Sequence, residues 1–434
     1  MIPPRAAIFT LGCRTNQYDE VIIARNLMDA GFVIVPSDQT ADLYVINTCT
    51  VTHRADADSR KAARKALRLN PKAFMAVVGC YSQRSSDKIT LINGVDLILG
   101  NKEKYNISTH LPTPLTKNEN PVVVISKPES EKSFGSTVSV PLSRTRALLK
   151  IQDGCDQYCS YCIVPHVRGK PRSLPRQEVI NRIAELVAVG YREIVLTGIH
   201  LGIWGKESGE SLSDLIRAFD EIDGEFRIRL SSIEPMELTD ELIDLLTSSP
   251  RICRHLHIPI QSASDQVLKA MGRPYRVEES GRIMEKIKKT DSGWNIGTDL
   301  IVGFPTETDE NFDEQLSNIN NLPIDYFHIF TYSPREETPA SKLKTVVTQD
   351  TVKSRLMRLK EIDRSARENF LKSQNHQILT LIVEQSRSKG NDIITGLSDN
   401  YLRVGIPSLL DHTIVITGIL NVDVSLRATL TSTR

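Results

Sequence analysis

Gln152-Asp153-Gly154-Cys155-Asp156-Gln157-Tyr158-Cys159-Ser160-Tyr161-Cys162 contains three cysteines in a C-x3-C-x2-C spacing. The run follows the apolar segment Ala147–Ile151, which predicts a strand that ends in a loop. Three thiolates on one tight loop can ligate three irons of a cubane iron–sulfur cluster and leave the fourth iron open to a small molecule. The spacing therefore predicts a cluster that takes part in chemistry, not only in electron storage.

Two other kinds of site also use C-x2-C pairs, namely zinc ribbons and thioredoxin-like redox pairs. A structural zinc ion needs a fourth ligand at a matching spacing. The nearby candidate is His166, on a stretch where Pro165 already constrains the backbone. We therefore favour the open iron–sulfur cluster.

Composition sets limits on the class of protein. The chain has 434 residues, which suggests roughly three domains. Lys+Arg number 54 and Asp+Glu 53, so the net charge of +1 carries no global signature of a nucleic-acid binder. The seven cysteines do not resemble a secreted disulfide framework. The start has no apolar signal core, and no apolar stretch approaches the roughly 18 residues of a membrane span. These features predict a cytoplasmic protein without a membrane anchor.

A second set of cysteines follows three predicted strands near the amino terminus. The strands are Ala7–Gly12, Tyr44–Thr48 and Phe74–Gly79, and the cysteines that follow them are Cys13, Cys49 and Cys80. The carboxyl ends of parallel strands line one crevice, so the three thiols can converge there. A free cysteine is often simply buried, but that accounts for one such coincidence more easily than for three. We predict a second iron–sulfur site.

The pattern of apolar runs predicts an α/β protein with three domains. Residues 1–113 predict a parallel α/β sheet domain, 114–143 a linker whose run Val122–Ile125 could pair as an edge strand, 144–373 a partial (βα)6 barrel, and 374–434 a small antiparallel β-barrel. The strands expected in the partial barrel are Ala147–Ile151, Glu193–Thr197, Arg227–Ser231, Leu256–Pro259, Ile296–Val302 and Tyr326–Phe330. Its functional face would be the loops that follow the strands.

With these elements in place, the chain resembles the methylthiotransferases, which are radical S-adenosylmethionine (SAM) enzymes with a cluster domain, a partial barrel and a carboxy-terminal TRAM domain. The resemblance covers nearly the whole sequence. Its motifs are Thr10–Gln17, Asn47–Thr52, Val78–Gln83 and the radical motif that continues through Ile163–Ser173.

The resemblance implies two 4Fe-4S clusters and SAM as cofactors. Cys155, Cys159 and Cys162 would hold the cluster that binds SAM, which one electron from a low-potential donor of the flavodoxin or ferredoxin type cleaves to a deoxyadenosyl radical. Cys13, Cys49 and Cys80 would hold an auxiliary cluster that carries the inserted sulfur. No catalytic residue is implied beyond this cluster-bound chemistry, whose product is a C–S–CH3 group in place of a C–H bond.

Other positions that the resemblance implies for cofactor contacts lie in or after the barrel strands. They are Tyr161, Gly198, His200, Ser232, Glu234, Gln261 and Val302. For each of them a polar cap at a strand end is the competing interpretation. Ala263 and Thr306 stand where the family usually has glycine, so we expect each to add a Cβ to a sharply turning backbone. Cys253 lies outside both cysteine sets and is expected to be a core or interface cysteine, not a ligand.

The family divides by substrate into isopentenyladenosine in tRNA, threonylcarbamoyladenosine in tRNA, and an aspartate of a ribosomal protein. The stretches Leu196–Gly202, Arg227–Pro235 and Tyr332–Arg335 resemble the threonylcarbamoyladenosine branch most. Ile199-His200 discriminates best, because the isopentenyl branch tends to carry Gln-Asn there. The expected product is the C2-methylthio derivative of the nucleoside beside the anticodon. An alternative of another class is a non-catalytic iron–sulfur protein that binds RNA. The sequence does not define the oligomeric state.

A local basic stripe follows Cys49. Arg60, Arg64 and Arg68 recur at helical spacing, on a helix that we expect to begin near Asp58 or Ser59. Such a stripe is commonly a solvated face. Our hypothesis is that it contacts tRNA phosphates together with Arg168, Lys170 and Arg172, which would make binding dependent on salt.

Overall fold

The computed structural model describes residues 2–128, 145–344, 347–384, 394–406, 415–422 and 428–432. The chain divides into two compact units. The first comprises Met1–Leu142, Lys150–Leu174 and Ser333–Ser341, and the second comprises Ser143–Leu149, Pro175–Tyr332 and Lys342–Arg434. Residues 129–143 of the predicted linker lie outside the described residues. The predicted domain boundaries stay a prediction.

The first unit is built on a six-stranded parallel sheet. Its elements are β1 (Arg5–Thr10), α1 (Arg14–Asp29), β2 (Val33–Val35), β3 (Leu43–Thr48), α2 (His53–Leu69), β4 (Phe74–Gly79), α3 (Cys80–Thr90), β5 (Leu97–Leu99), a 3-10 segment (Glu103–His110) and β6 (Val122–Val124). The strand order in the sheet is β2-β1-β3-β4-β5-β6. Every residue of β3 and β4 is buried, as expected of central parallel strands covered on both faces. The parallel sheet and its edge strand β6 confirm the predicted architecture.

Helix α2 begins earlier than the sequence pattern indicated. Its first residue is His53, and the hydroxyl of Thr52 accepts a hydrogen bond from the Ala55 N–H at 3.1 Å. The prediction of a start near Asp58 or Ser59 was therefore wrong, because Thr52 caps the helix and both of those residues lie inside it.

The segment Lys150–Leu174 of the first unit carries three short elements. They are β8 (Gln152–Asp153), α4 (Val164–Arg168) and β9 (Arg172–Ser173), and β8 pairs antiparallel with β9. This pairing closes the loop that contains Cys155, Cys159 and Cys162 at its base.

The second unit contains the predicted partial barrel. Its strands are β7 (Ala147–Lys150), β10 (Glu193–Thr197), β11 (Arg227–Leu230), β12 (His255–His257), β13 (Asn295–Val302) and β14 (Tyr326–Thr331). They form two three-stranded sheets, ordered β11-β10-β7 and β12-β13-β14, and a parallel bridge between Ile228 and Ile252 joins β11 to the segment before β12. The helices are α5 (Arg176–Ala188), α6 (Leu212–Arg217), α7 (Asp240–Ser248), α8 (Asp265–Met271), α9 (Val277–Thr290) and α10 (Asp309–Asn321). Each of the six strands overlaps its predicted range, with bounds that differ by two residues at most.

The second unit ends in a long helix and a small closed β-barrel. The elements are α11 (Gln349–Ser373), β15 (Ile378–Glu384), β16 (Ile394–Ser398), β17 (Arg403–Ile406), β18 (Val415–Val422) and β19 (Ala428–Ser432), with the closed order β15-β16-β17-β19-β18. Leu379, Leu381 and Val404 lie in its core. The small barrel confirms the predicted fold, although β17 pairs with β19 in parallel and the sequence pattern did not indicate β19. Across the described ranges, no helix is both long enough and apolar enough to cross a membrane.

Candidate functional site

Cys13, Cys49 and Cys80 lie at the carboxyl ends of β1, β3 and β4, which are neighbours in the sheet. Cys13 is the N-cap residue of α1, and Cys80 is the first residue of α3. A Cβ on Gly12 would lie 2.8 Å from the Cys49 sulfur, so only glycine, here at φ +94°, lets the β1 loop pass so close. The structure therefore brings the three cysteines to one edge of the sheet.

The electrostatics of this edge agree with a shared site. Burial, followed by the negative charge of Cys80, raises the pKa of the Cys49 thiol to about 12, and Cys13 adds to the increase. Three thiols that oppose one another's ionisation can all become thiolates when a metal centre binds them, since metal binding releases their protons. The role of these cysteines as cluster ligands stays a prediction.

A buried ion cluster lies beside the first cysteine set. Asp19 accepts from Lys104 Nζ and Lys150 Nζ at 2.7 Å each, and from Arg168 at 3.1 Å. Asp153 pairs with Lys150 and Arg168 at 3.0 Å each. These five side chains are at most 2% exposed.

The ion cluster carries more positive than negative charge. Its cations are Lys104, Lys150, Arg168 and Arg172, and its carboxylates are Asp19 and Asp153. Arg168 lies close enough to Cys80 and Cys13 for their charges to act on it. A buried surplus of positive charge is costly unless an anionic group lies nearby, which three metal-bound thiolates would supply. The donor set and its surroundings therefore fit an anionic iron–sulfur cluster.

Asn101 links the first cysteine set to the segment after the second set. Its Nδ2 lies 3.6 Å from the Cys80 sulfur and donates to the Val167 carbonyl at 2.8 Å, while its Oδ1 accepts from Lys104 Nζ at 2.9 Å. Cys80 also packs against Ile163 and Val167. No sequence pattern indicated Asn101, because an amide in a loop has no periodic signature.

Cys155, Cys159 and Cys162 lie on a loop held by backbone hydrogen bonds. The Cys155 N–H donates to Gly169 O at 3.0 Å, and the Cys162 N–H to Cys159 O at 2.9 Å. Gly154 has φ +77°, and a Cβ there would lie 2.0 Å from the Lys170 carbonyl oxygen. Cys159 is buried, whereas Cys155 and Cys162 are partly accessible. The loop therefore presents its thiols from a closely packed base.

The spacing of the thiols bears on the zinc alternative. Sulfurs that share one tetrahedral zinc ion lie about 3.8 Å apart. In the part of the chain that the structure describes, the one set of three potential ligand atoms within 4.8 Å of one another is that of His257, Asp299 and His328. Neither cysteine set is gathered around a point the size of a single ion.

The loop Ser333–Ser341 contacts both cysteine-bearing segments of the first unit. The Arg335 guanidinium is fully buried, pairs with Asp56 at 2.7 Å and donates to the Val51 carbonyl at 3.4 Å. The Ala340 N–H donates to the Ser160 carbonyl at 2.7 Å. This loop therefore positions the backbone after Cys49 and the backbone between Cys159 and Cys162.

Most of the residues predicted to bind the cofactor lie at the carboxyl ends of the barrel strands in the second unit. Gly198 follows β10 and is half-buried, and the nearby His200 is buried and pairs with Glu237. Ser232 follows β11 and is exposed. Glu234 pairs with Arg273, and burial raises its pKa although Arg273 opposes the shift. No sequence pattern indicated either ion-pair partner, Glu237 or Arg273.

The remaining predicted positions are distinct in character. Gln261 has a left-handed backbone, with φ +66°, and its N–H and carbonyl both form hydrogen bonds with the backbone of β13. Neither Ala263 nor Thr306, where the family usually has glycine, has a positive φ. Val302 is fully buried. Tyr161 is half-buried in the cysteine loop of the first unit. Cys253 is buried, and burial raises its pKa to about 12, which confirms a core cysteine.

The basic residues divide into two groups. Arg64 and Arg68 are exposed on α2, and Arg60 donates to the Tyr81 hydroxyl at 2.8 Å, beside a pocket of about 360 Å³. Arg168 and Arg172, in contrast, are buried at 3% and 7% exposure with their guanidinium groups in the ion cluster. The structure corrects the hypothesis that these two contact tRNA phosphates, because phosphate contact needs an accessible cation.

Two family models match the chain. The model described as "Uncharacterized protein family UPF0004" matches residues 5–100, and that of the radical SAM superfamily matches residues 149–317. Among solved structures, the radical S-adenosylmethionine methyltransferase TsrM from Kitasatospora setae aligns with a TM-score of 0.59 over 78% of this chain and 77% of its own, at 14% identity. Fold and cysteine spacing thus define a radical SAM protein with an additional cysteine-bearing domain.

Two relatives resolve the family further. The threonylcarbamoyladenosine tRNA methylthiotransferase MtaB of Aquifex aeolicus (strain VF5) is 36% identical over 92% of this chain and 98% of its own length. The protein of the same name from Bacillus subtilis (strain 168) is 37% identical over 92% of this chain and 89% of its own length. The chain belongs to the methylthiotransferase family of radical SAM enzymes.

Proposed function

We propose that this protein adds a methylthio group to C2 of N6-threonylcarbamoyladenosine in tRNA. The observation that carries the proposal is the placement of both cysteine sets in one compact unit of a methylthiotransferase chain. The two relatives described above are named for this reaction, and each aligns over most of its length. The alternatives, isopentenyladenosine or a ribosomal aspartate as substrate, or an RNA-binding protein without turnover, become outcomes of the test.

In this proposal each cysteine set holds one 4Fe-4S cluster. Cys155, Cys159 and Cys162 hold the cluster that binds SAM, and Cys13, Cys49 and Cys80 hold the auxiliary cluster. When bound, these groups supply the one-electron chemistry that exchanges a C–H bond for a C–S bond. Arg168 and Lys104 lie close enough to Cys80 for their charges to offset that of its thiolate, and the Asn101 amide contacts the Cys80 sulfur. Nearby charge and hydrogen bonding of this kind tune an iron–sulfur centre.

The cofactor positions in the second unit have separate tasks in this proposal. The backbone at Gly198, Gln261 and Val302 shapes the pocket for SAM, and Ser232 and Glu234 supply polar contacts. Arg273 holds the Glu234 carboxylate, and Glu237 holds the His200 ring, so each of the two side chains has a fixed orientation. Tyr161, in the first unit, is the remaining cofactor-binding position of the proposal.

Partners follow from the same proposal. The substrate is tRNA, contacted by the stripe Arg60, Arg64 and Arg68 and by the small barrel in the role of a TRAM domain. A low-potential donor of the flavodoxin or ferredoxin type supplies the electron. A tRNA substrate places the enzyme in the cytoplasm.

The test is mass spectrometry of nucleosides from tRNA of cells that lack this gene, complemented with variants of it. We expect wild type to restore the methylthio derivative of threonylcarbamoyladenosine, and Cys49→Ala and Cys159→Ala to abolish it. Cys253→Ala is the matched control, because it removes a buried cysteine outside both sets. Restoration of a methylthio group on isopentenyladenosine instead would contradict the substrate, and an unchanged nucleoside pool would contradict a tRNA reaction.

A further inference from the structure

One face of the sheet β12-β13-β14 gathers polar and aromatic side chains. Side chains two residues apart on a strand share a face, and Asp299 pairs with His328 in the register of β13 and β14. The shared face carries His257, Gly297, Asp299, Tyr326, His328 and Phe330. Stacking of the His257 and His328 rings at 5.0 Å confirms that they lie on the same side.

His257, Asp299 and His328 form a triad around one carboxylate oxygen. Asp299 Oδ1 lies 3.0 Å from His257 Nε2 and 3.4 Å from His328 Nδ1. Burial acts to raise the pKa of Asp299, but hydrogen bonds from the two imidazoles outweigh it and lower the pKa to about 2. Side-chain exposure increases from 9% at His257 to 23% at Asp299 and 51% at His328. The triad is therefore anchored at one end and open at the other.

The anchored end is held by Tyr326. The Tyr326 hydroxyl lies 3.2 Å from His257 Nδ1 and 2.8 Å from His255 Nε2. The ring of Tyr326 lies over Gly297, where a Cβ would come within 1.9 Å of the ring carbon Cζ. Because Gly297 has no side chain, Tyr326 can pack flat against the sheet and fix the orientation of His257.

An exposed aromatic residue lies beyond the open end. Phe330 is two residues after His328, toward the carboxyl end of β14, and remains 47% exposed. A large apolar ring left accessible beside hydrogen-bonding groups is what binding of a planar heterocycle requires. Aromatic side chains stack on nucleobases of any sequence, whereas polar groups read the edges of the base.

We propose that this face binds the modified adenine, with Phe330 stacked on the base and the His257–Asp299–His328 triad hydrogen-bonded to its polar N6 substituent. The inference rests on the proposed function. A threonylcarbamoyl group offers a carboxylate and a urea carbonyl as acceptors, and a hydroxyl and N–H groups as donors. The imidazoles and Asp299 provide the matching partners. An apolar isopentenyl group would leave the triad unpaired, and an unpaired polar site discriminates strongly.

A metal ion is the other occupant that the triad could take, because its three ligand atoms lie within 4.8 Å of one another. Ligands around an ion at 2.0–2.2 Å would be separated by about 3 Å, as two of these pairs are. Phe330 favours the base over the metal ion, because an accessible aromatic ring beside the triad can stack on a base but does not take part in metal coordination. We therefore favour the base.

The test compares the reconstituted enzyme on two tRNAs that differ only in the threonylcarbamoyl group at the target adenosine. For His328→Leu we expect kcat/KM on the modified tRNA to fall about tenfold or more, with little change in binding of the unmodified tRNA. His328→Gln keeps an N–H donor and should recover part of the loss. Phe330→Ala should weaken binding of both tRNAs, because stacking does not depend on the N6 group. Thr331→Val, on the opposite face of β14, is the control.

The outcomes separate the inference from the function on which it rests. A wild-type enzyme that does not methylthiolate the threonylcarbamoyl substrate contradicts the proposed function. If wild type is active but His328→Leu affects both tRNAs equally, or neither, the inference is overturned. The inference would also be overturned, in favour of a metal site, by two results together. Wild type would bind one Zn²⁺ per chain and His328→Leu would not, while discrimination between the two tRNAs stayed unchanged.

Discussion

Asp19→Asn should destabilise the protein strongly although it changes one atom. Asp19 is fully buried and neutralises part of the charge of Lys104, Lys150 and Arg168 at 2.7 to 3.1 Å. The variant would leave four buried cations facing Asp153 alone. Removal of one partner of a buried ion pair costs about 3–5 kcal/mol. In a domain of this size that corresponds to a decrease in melting temperature of about 6–20 °C.

Asp29→Asn provides the matched control, because it makes the same change on the same helix. Asp29 pairs with Arg25 at 2.9 Å, with both side chains 53% exposed. Such an exposed i,i+4 pair is worth about 0.3–0.5 kcal/mol. The assay is anaerobic thermal and urea unfolding of wild type and both variants, each without clusters. Equal melting temperatures for the two variants would refute the reasoning.

The pH dependence gives an independent check on Asp19. Burial alone would raise its pKa, but Lys104, Lys150 and Arg168 hold the pKa well below the usual value. A carboxyl with a lowered pKa in the folded state stabilises the protein above its unfolded pKa of about 3.9 and loses that contribution as the pH falls below it. The stability difference between wild type and Asp19→Asn should therefore shrink from pH 5 to pH 3. A constant difference would contradict an ionised Asp19.

Two further predictions concern tRNA binding and packing. Changing Arg64 and Arg68 to Ser should weaken tRNA binding, because both side chains are exposed and would contact phosphates. The slope of log affinity against log salt should decrease in magnitude by about 1.4–1.8, as expected for two lost phosphate contacts. An unchanged slope would show that the stripe is only a solvated surface. Gly297→Ala should lower the free energy of unfolding by about 1–3 kcal/mol, because the added Cβ would lie 1.9 Å from the Tyr326 ring. An unaltered melting temperature would show that Tyr326 can move aside freely.

Much of the site could be predicted because its signals are local. The C-x3-C-x2-C run needs only its own loop, and Cys13, Cys49 and Cys80 are each the residue after a recognisable strand. Parallel pairing then brings those three ends to one edge. The ion cluster could not be predicted in the same way, since a charged residue in a sequence is ordinarily exposed. Lys150, inside the apolar run Ala147–Ile151, was the one local hint of a buried charge.

The tRNA hypothesis failed in part for the same reason. Arg64 and Arg168 look alike in a sequence, yet one is exposed on α2 and the other is enclosed by Asp19 and Asp153. The partners of Arg168 are remote, because Asp19 is 149 residues away along the chain. Desolvation and pairing depend on that distant neighbour, and no periodicity reports it.

The sequence by itself determined the class of fold, the family and the residues that can hold clusters, because strand periodicity and cysteine spacing are short-range properties of the chain. Only the tertiary structure decided which charges are buried, that α2 begins after its N-cap residue Thr52, and which side chains share a face with His328. The physical reason is that burial and pairing depend on which remote segments meet. Asn101 against Cys80 and Tyr326 over Gly297 are contacts of this kind, made only after the chain has folded.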